Sequence, residues 1–139
     1  MADLDPSHHF FRHIKLTWMD GDFVEPMAFR LRAENGGFEK GLSTNWCEYF
    51  QKQSAAEVVV PLKAILEAKG RKIGKNSKFA LLNVGASVTA ARDLAAIRVV
   101  NDEEEHDLSH VLVTGYEAYN DQVAERLAKV VQALYPASG

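Results

Sequence analysis

Three short runs in which apolar and polar residues alternate one for one constrain this chain most. Over residues 13–18, Ile14, Leu16 and Trp18 fall on one side and His13, Lys15 and Thr17 on the other. Over residues 27–32, Met27, Phe29 and Leu31 oppose Ala28, Arg30 and Arg32; over residues 110–114, Val111 and Val113 oppose His110, Leu112 and Thr114. Strand side chains alternate with a period of two, so each run predicts a strand with one dry and one wet face. If the runs share a sheet, its wet face gathers His13, Lys15, Arg30, Arg32, Arg98 and His110. Such a face is either a ligand surface or the solvated side of a half-covered antiparallel sheet.

The remaining signals build an α+β domain. Residues 1–10 lack periodicity and read as a flexible arm, residues 11–135 as one domain, and 136–139 as a short tail. A first strand is expected over residues 11–18. Asp20-Gly21 marks a tight turn, and Pro26, which cannot donate to a ladder, places the second strand after it, near Met27. Asn35-Gly36-Gly37 turns into a third strand ending near Thr44, completing a three-stranded meander. Asn45 with Glu48, and Ser54 with Glu57, have capping-box spacing and predict helices over residues 46–53 and from 54 to a stop at Gly70, with Pro61 either kinking or starting the second. Residues 79–84 and 96–100 read as strands, and residues 86–94 fit strand or helix equally. Val123, Leu127, Val130, Val131 and Leu134 recur at helical spacing and predict a last helix. The expected fold is a mostly antiparallel sheet of five or six strands with two or three helices on one face.

With 139 residues, 47 % of them hydrophobic, the chain can bury a core without staples. Cys47 stands alone, so no internal disulfide forms. The acidic start, Met1-Ala2-Asp3-Leu4-Asp5-Pro6, lacks the basic-then-apolar order of a signal peptide, and no apolar run approaches the roughly 18 residues of a membrane span; a soluble, cytoplasmic protein is expected. The net charge of −3 opposes general attraction to nucleic acid, yet charge is segregated: Lys69, Arg71, Lys72, Lys75 and Lys78 form a basic stretch, and Asp102, Glu103, Glu104, Glu105 and Asp107 an acidic one.

Four sets of residues carry candidate chemistry. His13 and His110 with Arg30 or Arg32 are the types phosphoester cleavage needs: two imidazoles to exchange protons and a guanidinium to hold phosphate charge. Ser43, Thr44 and Asn45, where a strand is expected to meet a helix, are candidate ligand contacts with Lys15, or plain helix caps. Asp107, Ser109 and His110 cannot form a triad on one strand, because His110 points away from the other two, but His110 is free to act with a group from another strand. His106 and His110 would share a helix face with zinc-site spacing, which the alternation after His110 opposes; no metal and no cofactor is expected. Phosphate-binding glycine loops, dinucleotide fingerprints, paired cysteines and nucleophile elbows are absent.

The order of a His-bearing first strand, a Gly41-Leu42-Ser43-Thr44 strand end and a later acid-rich segment is loosely similar to the layout of small ADP-ribosyl-transfer domains. That resemblance implies a nicotinamide pocket and a glutamate that this chain does not identify. Three functions are therefore expected, in order. The first is an accessory module docking on a protein partner or on its own copy, with Phe10, Phe11, Trp18, Phe23 and Phe38 as contact aromatics. The second is a small enzyme acting on a phosphate ester or nucleotide, ribonuclease-like or ADP-ribosyl-transfer-like, through His13, His110 and Arg30 or Arg32. The third is nucleic-acid binding through residues 69–78.

Overall fold

A computed structural model describes residues 1–34 and 36–138. Six strands, β1 (His9–Ile14), β2 (Leu42–Trp46), β3 (Lys78–Asn83), β4 (Arg98–Asn101), β5 (His110–Thr114) and β6 (Ala133–Pro136), form one sheet in the order β6-β3-β1-β2-β5-β4, with every neighbouring pair antiparallel. The α+β class read from the sequence is the observed one.

The register sorts the side chains onto two faces. Phe10 lies opposite Leu82 and Trp46, whereas Phe11 lies opposite Leu81 and Asn45. Phe10, Ile14, Ala80, Leu82, Val99, Val111 and Val113 bury the first face under α2 (Val84–Ala91), α3 (Asp121–Lys129) and a 3-10 turn at Pro26–Phe29. Phe11, Phe79 and Leu81 on the second face pack against Val58, Val59, Leu62 and Leu66 of α1 (Ala55–Ala68). Each large side chain so buried contributes about 1.5–3 kcal/mol. The helices thus divide between the faces rather than sharing one, because β1 and β3 are apolar at consecutive positions and leave no wet side there to expose.

Local rules explain the element ends. The Ser54 hydroxyl caps α1, accepting from the Glu57 amide and donating to the Glu57 carboxylate, and Gly70, at φ +87°, stops the helix. Pro61 sits inside α1 rather than starting it. Of residues 86–94, readable either way, 86–91 are helical, and the helix begins at Val84, within the expected strand, with the Asn83 side chain accepting from the Ala86 amide. The Asp20-Gly21 turn joins a two-stranded ribbon, Met19–Asp20 with Phe23–Val24, and Gly21 takes the positive φ it requires. Ala33–Glu34 pairs with Gly37–Phe38; the turn expected between them falls on Asn35, which lies outside the described residues.

Several expectations are corrected. The first strand ends at Ile14, and Leu16–Trp18 is a 3-10 turn. Residues 27–32 are not a strand: Ala28 and Phe29 are both buried in consecutive positions of the Pro26–Phe29 turn, so the apparent alternation does not sort inside from outside. The first third is accordingly two small ribbons and 3-10 turns, not a meander. No helix starts at Trp46; β2 runs through Trp46 and only Glu48–Phe50 turns. The last helix stops at Lys129, and Leu134 belongs to β6, which pairs with β3. Residues before β1 lie on the sheet edge: the Leu4 amide donates to the Val99 carbonyl, the Asn101 amide to the Ala2 carbonyl, and Leu4 is buried. Among the described residues no helix is long and apolar enough to cross a membrane.

Candidate functional site

The second face of the sheet carries polar side chains over β2 and β5, beside the half that α1 covers. Strand alternation puts Ser43 and Asn45 of β2 there, and the register places Asn45 opposite His110 of β5. The two neighbours organise separate networks.

Asn45 anchors a buried one. Its amide nitrogen donates to Asp107 Oδ2 at 2.8 Å and to Ser109 Oγ at 2.9 Å, and Ser109 Oγ donates to Asp107 Oδ1 at 2.7 Å. Lys69, just past the end of α1, brings its ammonium to Asp107 Oδ2 at 2.9 Å and Glu104 Oε1 at 2.6 Å. Burial pushes the Asp107 carboxyl up, but donation from Ser109, Lys69 and Asn45 outweighs it and holds the group below the ordinary carboxylate range. The basic and acidic stretches of the sequence therefore meet here, and Lys69 is committed internally rather than to an external phosphate chain.

His110 organises the other. Its Nδ1 lies 3.0 Å from the Asp102 carbonyl and 3.1 Å from Asp102 Oδ2. Both are acceptors, so Nδ1 bears the proton and the bare Nε2 accepts from Ser43 Oγ at 3.1 Å. Asp102, Glu104 and His110 offer three ligand atoms within 4.8 Å of one another, but Lys69 already supplies Glu104 with a cation. His106 is exposed and His110 opens a strand, so the two do not share a helix face, in keeping with the alternation after His110.

His13, on the same face two strands from His110, sits among cations. A cavity of about 350 Å³ is lined by His13, Lys15, Lys72, Lys75 and Ser77. His13 Nε2 donates to Ser77 Oγ at 2.9 Å, because the Ser77 hydroxyl is itself committed to the Gly74 carbonyl at 2.6 Å. Burial, then the charges of Arg71, Arg12, Lys15 and Arg32, push the imidazole down to about 4, so it is neutral at pH 7. Arg12 is buried, donating only to backbone carbonyls, Nε to Ala28 at 2.9 Å and Nη1 to Ser43 at 3.0 Å. Burial and the neighbouring Arg32 and Arg71 push it down to about 10. Arg12, Lys15 and Arg32 all lie over the Trp18 ring, at 5.4, 5.1 and 5.2 Å. Among the described residues no carboxylate forms an ion pair with Arg12, Lys15, Arg32, Arg71, Lys72 or Lys75.

Of the residues singled out from the sequence, His13, Lys15 and Arg32 converge on this basic region, and Ser43 joins His110. Among the described residues no hydrogen bond or ion pair links His13 to His110. Arg30 is elsewhere, paired with Asp121 at 2.9 Å, because the run that carries it is not a strand. Arg98 lies at the sheet edge on Asp3 at 2.8 Å. Thr44 faces the first side and donates to the Val111 carbonyl, and Asn45 holds Asp107, so neither caps a helix. Phe10 and Phe11 are core residues, not contact aromatics. Cys47 is buried, its thiol pushed up to about 12, and is inert. Sequence reasoning missed Arg12, Ser77 and the Asp102 partnership; an arginine whose neighbours on the same strand face, Phe10 and Ile14, are apolar was the available signal for the first. No family model, curated protein or solved structure matches this chain.

Proposed function

We propose that this protein binds a small phosphate-bearing ligand in the cavity beside His13. The observation that carries the reading is a cluster of positive charge in a chain of net charge −3: three lysines and a neutral imidazole line the cavity, and the charges of Arg12, Arg32 and Arg71 also reach the His13 ring. Among the described residues the three lysines of the cavity form no ion pair; cations so held repel one another, and an anion relieves that cost. The volume lies at the lower end for small-molecule sites. Titration calorimetry with inorganic phosphate, pyrophosphate and a nucleoside monophosphate tests it. Saturable binding that weakens with salt and falls at least tenfold in a Lys72→Ser/Lys75→Ser variant supports the reading; no heat from any of the three refutes it.

Docking on a protein partner or a second copy is the other reading. Phe23, 78 % exposed, stands beside a groove of about 630 Å³ lined by Val24, Ala128, Val131 and Leu134, among others. Exposed aromatics beside an apolar groove suit an interface core. Sedimentation velocity of the wild type and of Phe23→Ser tests self-association, which requires a concentration-dependent dimer that the variant loses.

A further inference from the structure

We propose that Ser43 is a nucleophile, activated by His110 and Asp102, for transfer of a phosphoryl group from a phosphoric ester. The relay is read from contacts: Asp102 fixes the Nδ1 proton of His110, leaving Nε2 to take the Ser43 proton at 3.1 Å. The arrangement of hydroxyl, imidazole and carboxylate is drawn from three segments, β2, β5 and the loop after β4, that only the fold assembles. Asp102 is a positioning residue and Ser43 the catalytic one. The choice of phosphorus over carbon rests on the anion-binding reading above.

Ser43 Oγ attacks phosphorus, the new P–O bond forms as the bond to the ester oxygen breaks, and the hydroxyl proton passes to His110 Nε2 and on to the departing alkoxide. Water then attacks the phosphoserine with His110 taking its proton, the Oγ–P bond breaks, and Ser43 is reprotonated as phosphate leaves.

A fluorophosphonate probe tests the relay apart from the pocket, because the probe carries no phosphate dianion to be recognised. Attack by Ser43 forms P–O, breaks P–F, releases fluoride and leaves the proton on His110. Intact mass spectrometry with peptide mapping is expected to find one adduct, on Ser43, lost in Ser43→Ala and formed at least tenfold more slowly in His110→Gln and Asp102→Asn at unchanged melting temperature. A second measurement guards against a folding defect in those variants. Ser43→Cys should react with iodoacetamide at pH 7 at least tenfold faster than Cys47 in the same chain, and the added His110→Gln should remove that advantage. No adduct on Ser43 in the wild type, or equal rates with and without His110, overturns the proposal. Labelling of Ser43 with no phosphate binding by calorimetry would retain the nucleophile and overturn the phosphate-binding reading and, with it, the assignment to phosphorus.

Discussion

Replacing Lys69 with methionine removes the cation that ties the end of α1 to the polar half of the sheet through Asp107 and Glu104. Asp107 has no exposed side-chain surface, and the Lys69 side chain is 21 % exposed. Removing one partner of a buried pair costs about 3–5 kcal/mol, because the other charge is left without compensation. Here Asn45 and Ser109 still donate to the carboxylate, and water reaches the lysine position, so the expected loss is about 2–3 kcal/mol. At about 2–4 °C per kcal/mol for a chain near this size, the melting temperature should fall by about 5–10 °C. Urea unfolding followed by circular dichroism at pH 7 gives the free energy directly. The pH dependence has a defined sign. The folded Asp107 carboxyl lies below its unfolded value, so its contribution is present above about pH 4 and is lost as pH falls through the folded value. Without Lys69 that depression shrinks, and the variant and wild type should converge in stability as the pH is lowered below about 4. Asp107→Asn and the double variant complete a cycle, with a coupling of about 2 kcal/mol expected. A loss under 0.5 kcal/mol for Lys69→Met, or additive single effects, would show that Asn45 and Ser109 satisfy Asp107 unaided and refute the account.

Other outcomes follow from the same geometry. The His13 ring should titrate near 4 by proton NMR; since the unfolded value is about 6.5, the unfolded chain binds the extra proton, so this group removes stability as pH falls from about 6.5 towards 4. Saturating phosphate should move that titration upward, and a ring unmoved by phosphate would count against the pocket. Gly115→Ala should destabilise by at least about 2 kcal/mol in urea, because a Cβ there meets the Ala96 carbonyl oxygen at 2.5 Å and φ is +98°. Ser54→Ala should lose about 1 kcal/mol through the α1 cap, with the far-ultraviolet spectrum otherwise retained.

What the sequence by itself determined is local. A period of two marked residues 110–114 as strand, Ser54 and Glu57 marked the start of α1, Gly70 its end, and Asp20-Gly21 a turn, because each signal depends on groups within a few residues of one another. The same locality produced the errors. Alternation over residues 27–32 resembled a strand, but a turn that begins at Pro26 and packs Phe29 into the core won. Asn45 resembled a cap from its distance to Glu48, whereas its amide is taken by Asp107, 62 residues away. Tertiary structure alone decided which polar side chains meet. It separated Arg30 from Arg32, placed the uncharged His13 among cations, and joined Ser43 to His110 across 67 residues. Periodicity tells a side chain which face to take; the register and order of strands tell it whom it faces, and those are set by the whole core at once.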